Sequence, residues 1–216
     1  MVRFWFDGPE DAATLVLYAH GAGTPADAPF LVRTAAELAA RGLRVARFEF
    51  PFMAARRSGR RRPPDRMPVL VDTVGEAVAA LPRRHQRLCL LGKSMGARVA
   101  CLAAGGVGAA RVACLGFPFH PPRTPERSRL GELLSCAAPC LVVQGTRDPF
   151  GGRAELAGTM LPAGAAWHWV EDADHDLALP RRLAAVCPDP MPSAMDAVHA
   201  FFCVGQDPAG AGPMRA

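Results

Sequence analysis

The stretch Arg87-Leu88-Cys89-Leu90-Leu91-Gly92-Lys93-Ser94-Met95-Gly96 decides the fold. A continuous apolar run, RLCLL, ends in Gly-x-Ser-x-Gly, and an alanine-rich helical stretch, Met95–Ala104, follows without a spacer. A short run with no polar alternation suits a strand covered on both faces. A serine set between glycines at a strand-to-helix junction has a physical logic. The glycines remove side chains that would collide with the strand or the helix. The tight turn then lifts the hydroxyl above the sheet edge, beside a backbone N–H at the positive end of the helix. The chain holds only five serines, so the pattern in this context is hard to reach by chance.

Working outward, similar runs recur at Ala13–Ala19, Leu43–Phe48, Arg111–Leu115, Cys140–Gln144 and Ala166–Val170. Between them lie helical stretches at Leu31–Arg41, which stops at Gly42, and at Val69–Leu81, which stops before Pro82; Ala194–Cys203 closes the chain. Strand and helix in alternation predict a doubly wound, mostly parallel α/β sheet in three αβα layers, and 216 residues leave little room for a large cap domain. Val2–Phe6 is expected as an edge strand. Pro51–Pro68, with six arginines and four prolines, and Phe117–Arg129, also proline-rich, are expected as irregular loops. Each follows a strand, and post-strand loops gather at the sheet edge where ligands bind. Residues 1–204 are expected to form one domain, and 205–216, rich in Gly, Pro and Ala, a frayed tail.

A nucleophilic serine needs a base, and the base needs an orienting acid. On this fold they follow in the order serine, acid, histidine. Asp148 comes just after CLVVQ and His175 just after AWHWV, so both are expected at the edge that carries Ser94. His168 sits inside a strand between two tryptophans, His85 lies before a strand, and His199 is in the last helix; none fits the role. Asp172, Asp174 and Asp176 are too near His175 along one loop for triad geometry and are expected to shape that loop. The turn His20-Gly21-Ala22-Gly23 after the first long strand is where a second oxyanion donor belongs. The backbone of Ala22 together with Met95 is expected to serve, with Gly21 and Gly23 as alternatives.

Taken together, His20–Gly23, Arg47–Met53 with the arginines after it, Gly92–Gly96, Gly116–Pro122, Gln144–Asp148 and Asp174–Asp176 are similar to a small-hydrolase branch of the α/β hydrolase superfamily. That branch lies near the dienelactone-hydrolase-like group, and its relatives include a testis-expressed protein and a subunit of a chromatin-modifying complex. The resemblance spans roughly residues 14–203. It implies the α/β hydrolase fold with Ser94, Asp148 and His175 as triad, and it implies no particular substrate. Ala97 departs from the glycine that many relatives carry after the elbow.

Lys93 is the only lysine; the other 24 of the 25 basic residues are arginine, and the formal net charge is +5. With so much Ala, Gly and Pro, that balance reads as compositional bias, so a small-molecule partner is expected rather than nucleic acid. No run approaches the ~20 apolar residues of a membrane span. The seven cysteines are odd in number and form no CxxC, so reduced thiols and a cytoplasmic location are expected. Neither HExxH nor a P-loop occurs, so no metal or cofactor is expected. Arg56 and Arg57 are expected to draw an anionic ester, and Phe117, Phe119 and His120 to line the cleft. The competing expectation is a non-catalytic scaffold that binds through the basic loop 56–66.

Overall fold

The computed structural model describes residues 2–60, 62–82, 85–162 and 164–205. Seven strands form one sheet: β1 (Phe4–Asp7), β2 (Thr14–Ala19), β3 (Arg44–Phe48), β4 (Arg87–Lys93), β5 (Arg111–Leu115), β6 (Cys140–Gly145) and β7 (Ala165–Val170). Their order is β1-β3-β2-β4-β5-β6-β7. Only β1 runs antiparallel, pairing Phe4 with Phe48 at the edge of the sheet. Helices occupy Pro29–Ala40 (α1), Pro51–Arg57 (α2), Met67–Ala80 (α3), Met95–Ala103 (α4), Leu130–Leu134 (α5), Arg181–Ala184 (α6) and Met191–Cys203 (α7).

Both faces of the sheet are covered, which is why its strands read as unbroken apolar runs. Leu15, Leu17 and Leu90 meet Leu70, Val74 and Val99 of α3 and α4 on one face. Val16, Tyr18 and Leu91 meet Leu31, Leu38, Val198 and Phe202 of α1 and α7 on the other. Each such leucine, valine or phenylalanine, taken fully out of water, contributes about 1.5–3 kcal/mol before chain entropy is counted.

Proline placement explains the main departures from expectation. Pro51–Pro68 is not wholly irregular, because α2 begins at Pro51. Likewise α1 begins at Pro29, α3 carries Pro68 in its first turn, and α7 carries Pro192 there. Proline lacks the N–H that a first turn leaves unbonded, so it opens a helix as readily as it ends one. Gly42 does stop α1 as expected. It adopts φ +85°, and its N–H and that of Leu43 donate to Ala39 O (3.0 Å) and Leu38 O (3.2 Å).

The register sets the stage for the site. Ala19 lies opposite both Phe48 and Gly92, Lys93 opposite Leu115, and Gly145 opposite Val170. The chain therefore leaves β2 through β7 at a common edge, with His20, Glu49, Ser94 and Gly116 as exit residues. Among the described residues no helix is long and apolar enough to cross a membrane. The expected tail lies, but for Gly205, outside the described residues.

Candidate active site

Ser94 occupies the sharp turn between β4 and α4, with φ 53° and ψ −115°. A non-glycine residue in such a region costs about 1–3 kcal/mol, which the surrounding structure must supply. Here the constraint is steric. A Cβ on Gly92 would lie 2.3 Å from Gly96 O, and one on Gly96 would lie 2.3 Å from Ala19 O. Helix α4 is thus pressed against β4 and β2 at distances only glycine allows. The Ser94 N–H donates to Leu115 O at 3.0 Å, so the turn is also tied to β5.

Asp148 follows β6 and is 3% exposed. Three donors meet its carboxylate: His175 Nδ1 at 2.8 Å and Gln144 Nε2 at 2.9 Å on Oδ2, and the Phe150 N–H at 2.8 Å on Oδ1. A buried carboxylate needs that many partners to offset its lost hydration. With Nδ1 turned to Asp148, Nε2 is the ring nitrogen left to face the cleft side. The Phe150 ring packs on His175 with centroids 4.3 Å apart.

The loop carrying His175 is shaped by its aspartates, as expected. Asp174 Oδ1 accepts from the N–H of Asp176 (2.9 Å) and Ala178 (3.0 Å). The Asp172 N–H donates to Thr146 Oγ1 at 2.9 Å. Lys93 completes the hold: its Nζ donates to His175 O at 2.8 Å and pairs with Asp176 Oδ1 at 3.2 Å. Burial pulls the Lys93 amine below its ordinary value, while Asp176 pulls the other way. The sequence alone leaves open whether Lys93 meets an acid or simply lies beside the elbow; its partners are the His175 carbonyl and Asp176. Sequence reasoning gave no separate role to Gln144, whose side chain joins Asp148 to Phe117 and Gly151. The available signal was a fully buried amide ending an apolar run.

Ser94 and His175 open on one cleft of about 600 Å³, with Ala22 and Met95 also in its wall. No hydrogen bond joins the Ser94 hydroxyl to His175, a looseness common before substrate enters. Among the described residues, no acceptor within the protein takes the N–H of Ala22 or Met95. His20 is fully buried and shapes this corner: Nδ1 donates to Gly21 O at 2.6 Å, and Nε2 accepts the Phe50 N–H at 3.1 Å. Burial holds its pKa down at about 4, so the ring is neutral.

The residues expected to meet substrate lie elsewhere. The Arg57 guanidinium grips Glu49 through two bonds of 2.7 and 2.8 Å and also reaches Asp27 at 2.7 Å. Arg56 lies over the Phe52 ring at 5.3 Å and donates to Arg62 O. Phe117 and Phe119 are core residues, 0% and 3% exposed, with rings 4.9 Å apart. His120 is buried, its Nε2 2.7 Å from Glu155 Oε1 but not aligned for a hydrogen bond. Post-strand position brought all five to the correct edge, but internal partners hold them out of the cleft.

As for metal-capable groups, the Sγ atoms of Cys101, Cys114 and Cys140 lie within 4.8 Å of one another in the core, away from the cleft. Neighbouring sulfurs are 3.6 and 3.8 Å apart, ordinary contact for packed thiols. All seven cysteines are free.

A doubly wound sheet with a strained serine between strand and helix defines the α/β hydrolase class. The chain belongs to the alpha/beta hydrolase domain family, whose model matches residues 12–203. Solved structures agree in fold. An α/β serine hydrolase without lid from Xanthomonas campestris is 17% identical, with TM-score 0.68, covering 93% of this chain and 89% of that one. A dienelactone hydrolase from Anabaena variabilis is 21% identical, with TM-score 0.69, covering 93% and 90%. An α/β serine hydrolase homologue from Coxiella burnetii is 15% identical, with TM-score 0.66, covering 92% and 90%. No curated protein matches in sequence.

Proposed function

We propose that the chain is a serine hydrolase acting on a small ester, with Ser94 as nucleophile, His175 as general base and acid, and Asp148 as the group that orients His175. The observation that carries this reading is the 2.8 Å bond from His175 Nδ1 to a buried Asp148, beside the cleft that also holds the strained Ser94. In the first half-reaction His175 Nε2 takes the Ser94 proton as Oγ attacks the acyl carbon. The N–H groups of Ala22 and Met95 hold the oxyanion, each worth about 2.7–4 kcal/mol in sites of this kind. Collapse expels the alcohol, which leaves with the proton from His175. Water then gives a proton to His175 as it attacks the acyl carbon, and His175 returns that proton to Ser94 Oγ as the bond to the acyl group breaks and the acid leaves. The dienelactone-hydrolase-like character, and the narrower testis-expressed branch, rest on motif resemblance and belong to the same proposal. Free thiols throughout favour a reducing compartment such as the cytoplasm.

The rival scaffold reading draws on the basic loop 56–66. Arg57 and Arg62 there are ion-paired to Glu49, Asp27 and Asp65, which leaves less positive charge for a polyanion.

Fluorophosphonate labelling read by peptide mass spectrometry tests the proposal. Labelling at Ser94 is expected, with loss in Ser94→Ala and a strong reduction in His175→Ala. A folded protein that stays unlabelled would overturn the hydrolase reading and favour the scaffold.

A further inference from the structure

The charges lining the cleft can be paired off, and one is left over. Lys93 answers Asp176 at 3.2 Å. Arg98 holds Glu132 by a two-pronged contact, 2.5 and 2.6 Å. Asp65 is met by Arg62 and by the Phe52 N–H. The remaining group is Arg129, which lines the same cleft as Ser94. Among the described residues its guanidinium has no carboxylate partner and no hydrogen-bond acceptor.

Arg129 is nonetheless held in place. It is half-buried. Its N–H donates to Phe119 O at 2.7 Å, and it precedes the short helix α5, which the Arg98–Glu132 contact fastens to α4. The side chain is therefore a cation fixed at one end, facing a cleft in which Lys93, Asp65, Arg98 and Asp176 already have partners. Burial, and next the neighbouring Arg98, draw its pKa below the ordinary arginine value, against the opposing pull of Glu132, which is itself held by Arg98. Both causes act against its charged form, and an anion arriving in the cleft would offset them by its opposite charge.

We infer that Arg129 is the anion subsite of this cleft and that the substrate is an ester carrying a free carboxylate. This rests on the reading of Ser94 as nucleophile. The planar guanidinium fork matches a carboxylate by two parallel hydrogen bonds, which fixes orientation as well as affinity. The anionic character expected from Arg56 and Arg57 thus passes to a residue 35 positions beyond Ser94.

Two esters with one leaving group supply the test: 4-nitrophenyl acetate and mono-4-nitrophenyl succinate. Arg129→Gln is expected to lower kcat/KM for the succinate ester by about 10- to 100-fold, mainly through KM, and to change the acetate ester by less than about twofold. Arg129→Lys should restore part of the loss. Arg127→Gln, an exposed change of equal charge in the same loop, should leave the ratio of the two esters unaltered. An equal loss on both esters, or none, overturns the subsite. A binding measurement separates this from the fate of Ser94. Monomethyl glutarate titrated calorimetrically into Ser94→Ala protein should bind, and Arg129→Gln in that background should weaken it at least about tenfold. Failure to bind overturns the subsite; binding by a wild-type protein that hydrolyses neither ester supports the subsite and overturns the role of Ser94.

Discussion

The two halves of the sheet's ligand edge use polar side chains in opposite ways. On the β2–β3 side, His20, Glu49 and Arg57 form a closed set. His20 spends both ring nitrogens on backbone, and Glu49 is met by Arg57 and by the Ala26 N–H. On the β5–β7 side, buried Asp148 orients a His175 that opens on the cleft, and among the described residues the Arg129 guanidinium has no carboxylate partner. The first arrangement holds a corner together. The second keeps free energy in reserve for something that comes from outside. Substitutions in the closed half should therefore cost stability and spare turnover, and those in the open half should do the reverse.

The largest effect is expected from Asp148→Asn. It keeps the shape but favours the wrong His175 tautomer, so kcat on 4-nitrophenyl acetate should fall about 10³- to 10⁴-fold. The denaturation midpoint should move little; a comparable loss of stability would erase the contrast between the halves.

Next comes the pH response of the closed half. His20 has a folded pKa of about 4, below the ~6.5 of an unfolded histidine. Between those values the unfolded chain binds the extra proton, so stability is full above about pH 6.5 and is lost as pH falls towards 4, by on the order of 3 kcal/mol. Urea midpoints measured from pH 7.5 to 4.5 should show that slope, and His20→Gln should flatten it. An unchanged slope in the variant would assign the acid response to other groups.

Lys93→Met sharpens the boundary, because Lys93 lies in the elbow yet acts on the His175 loop. Losing its bond to His175 O should lower kcat about tenfold and KM little, and loosen hydrogen exchange over residues 172–178. Unchanged exchange there would make Lys93 a packing residue only.

The smallest effect belongs to Arg57→Gln. Arg57 is about one-third exposed, so solvent screening reduces the cost of breaking its pair with buried Glu49 to about 1–2 kcal/mol. Guanidinium denaturation should detect it. The ratio of charged to neutral ester turnover should stay fixed, in direct contrast to Arg129→Gln.

The architecture was legible because its signals are local. RLCLL-GKSMG carries strand, turn and helix within a dozen residues, and the post-strand positions of Asp148 and His175 follow from counting runs. The helix starts are less legible: α1, α3 and α7 begin two or three residues ahead of the expected stretches and α2 begins inside the expected loop, because a proline can open a first turn as well as end a helix. Side-chain partnerships were less legible. Arg57 is answered by Asp27, thirty residues upstream, and no periodicity announces that. Arg129 ends a proline-rich loop, and that its guanidinium finds no carboxylate partner among the described residues is visible only in three dimensions.

The scarcity of amines has its own use. Lys93 is the sole lysine, and its side chain is 5% exposed, closed over by the His175 carbonyl and Asp176. An acylating reagent can reach that nitrogen only when the loop above it lifts. The rate at which a slow amine reagent marks Lys93 is therefore a clock for the breathing of the His175 loop, built into the chain without any engineered probe.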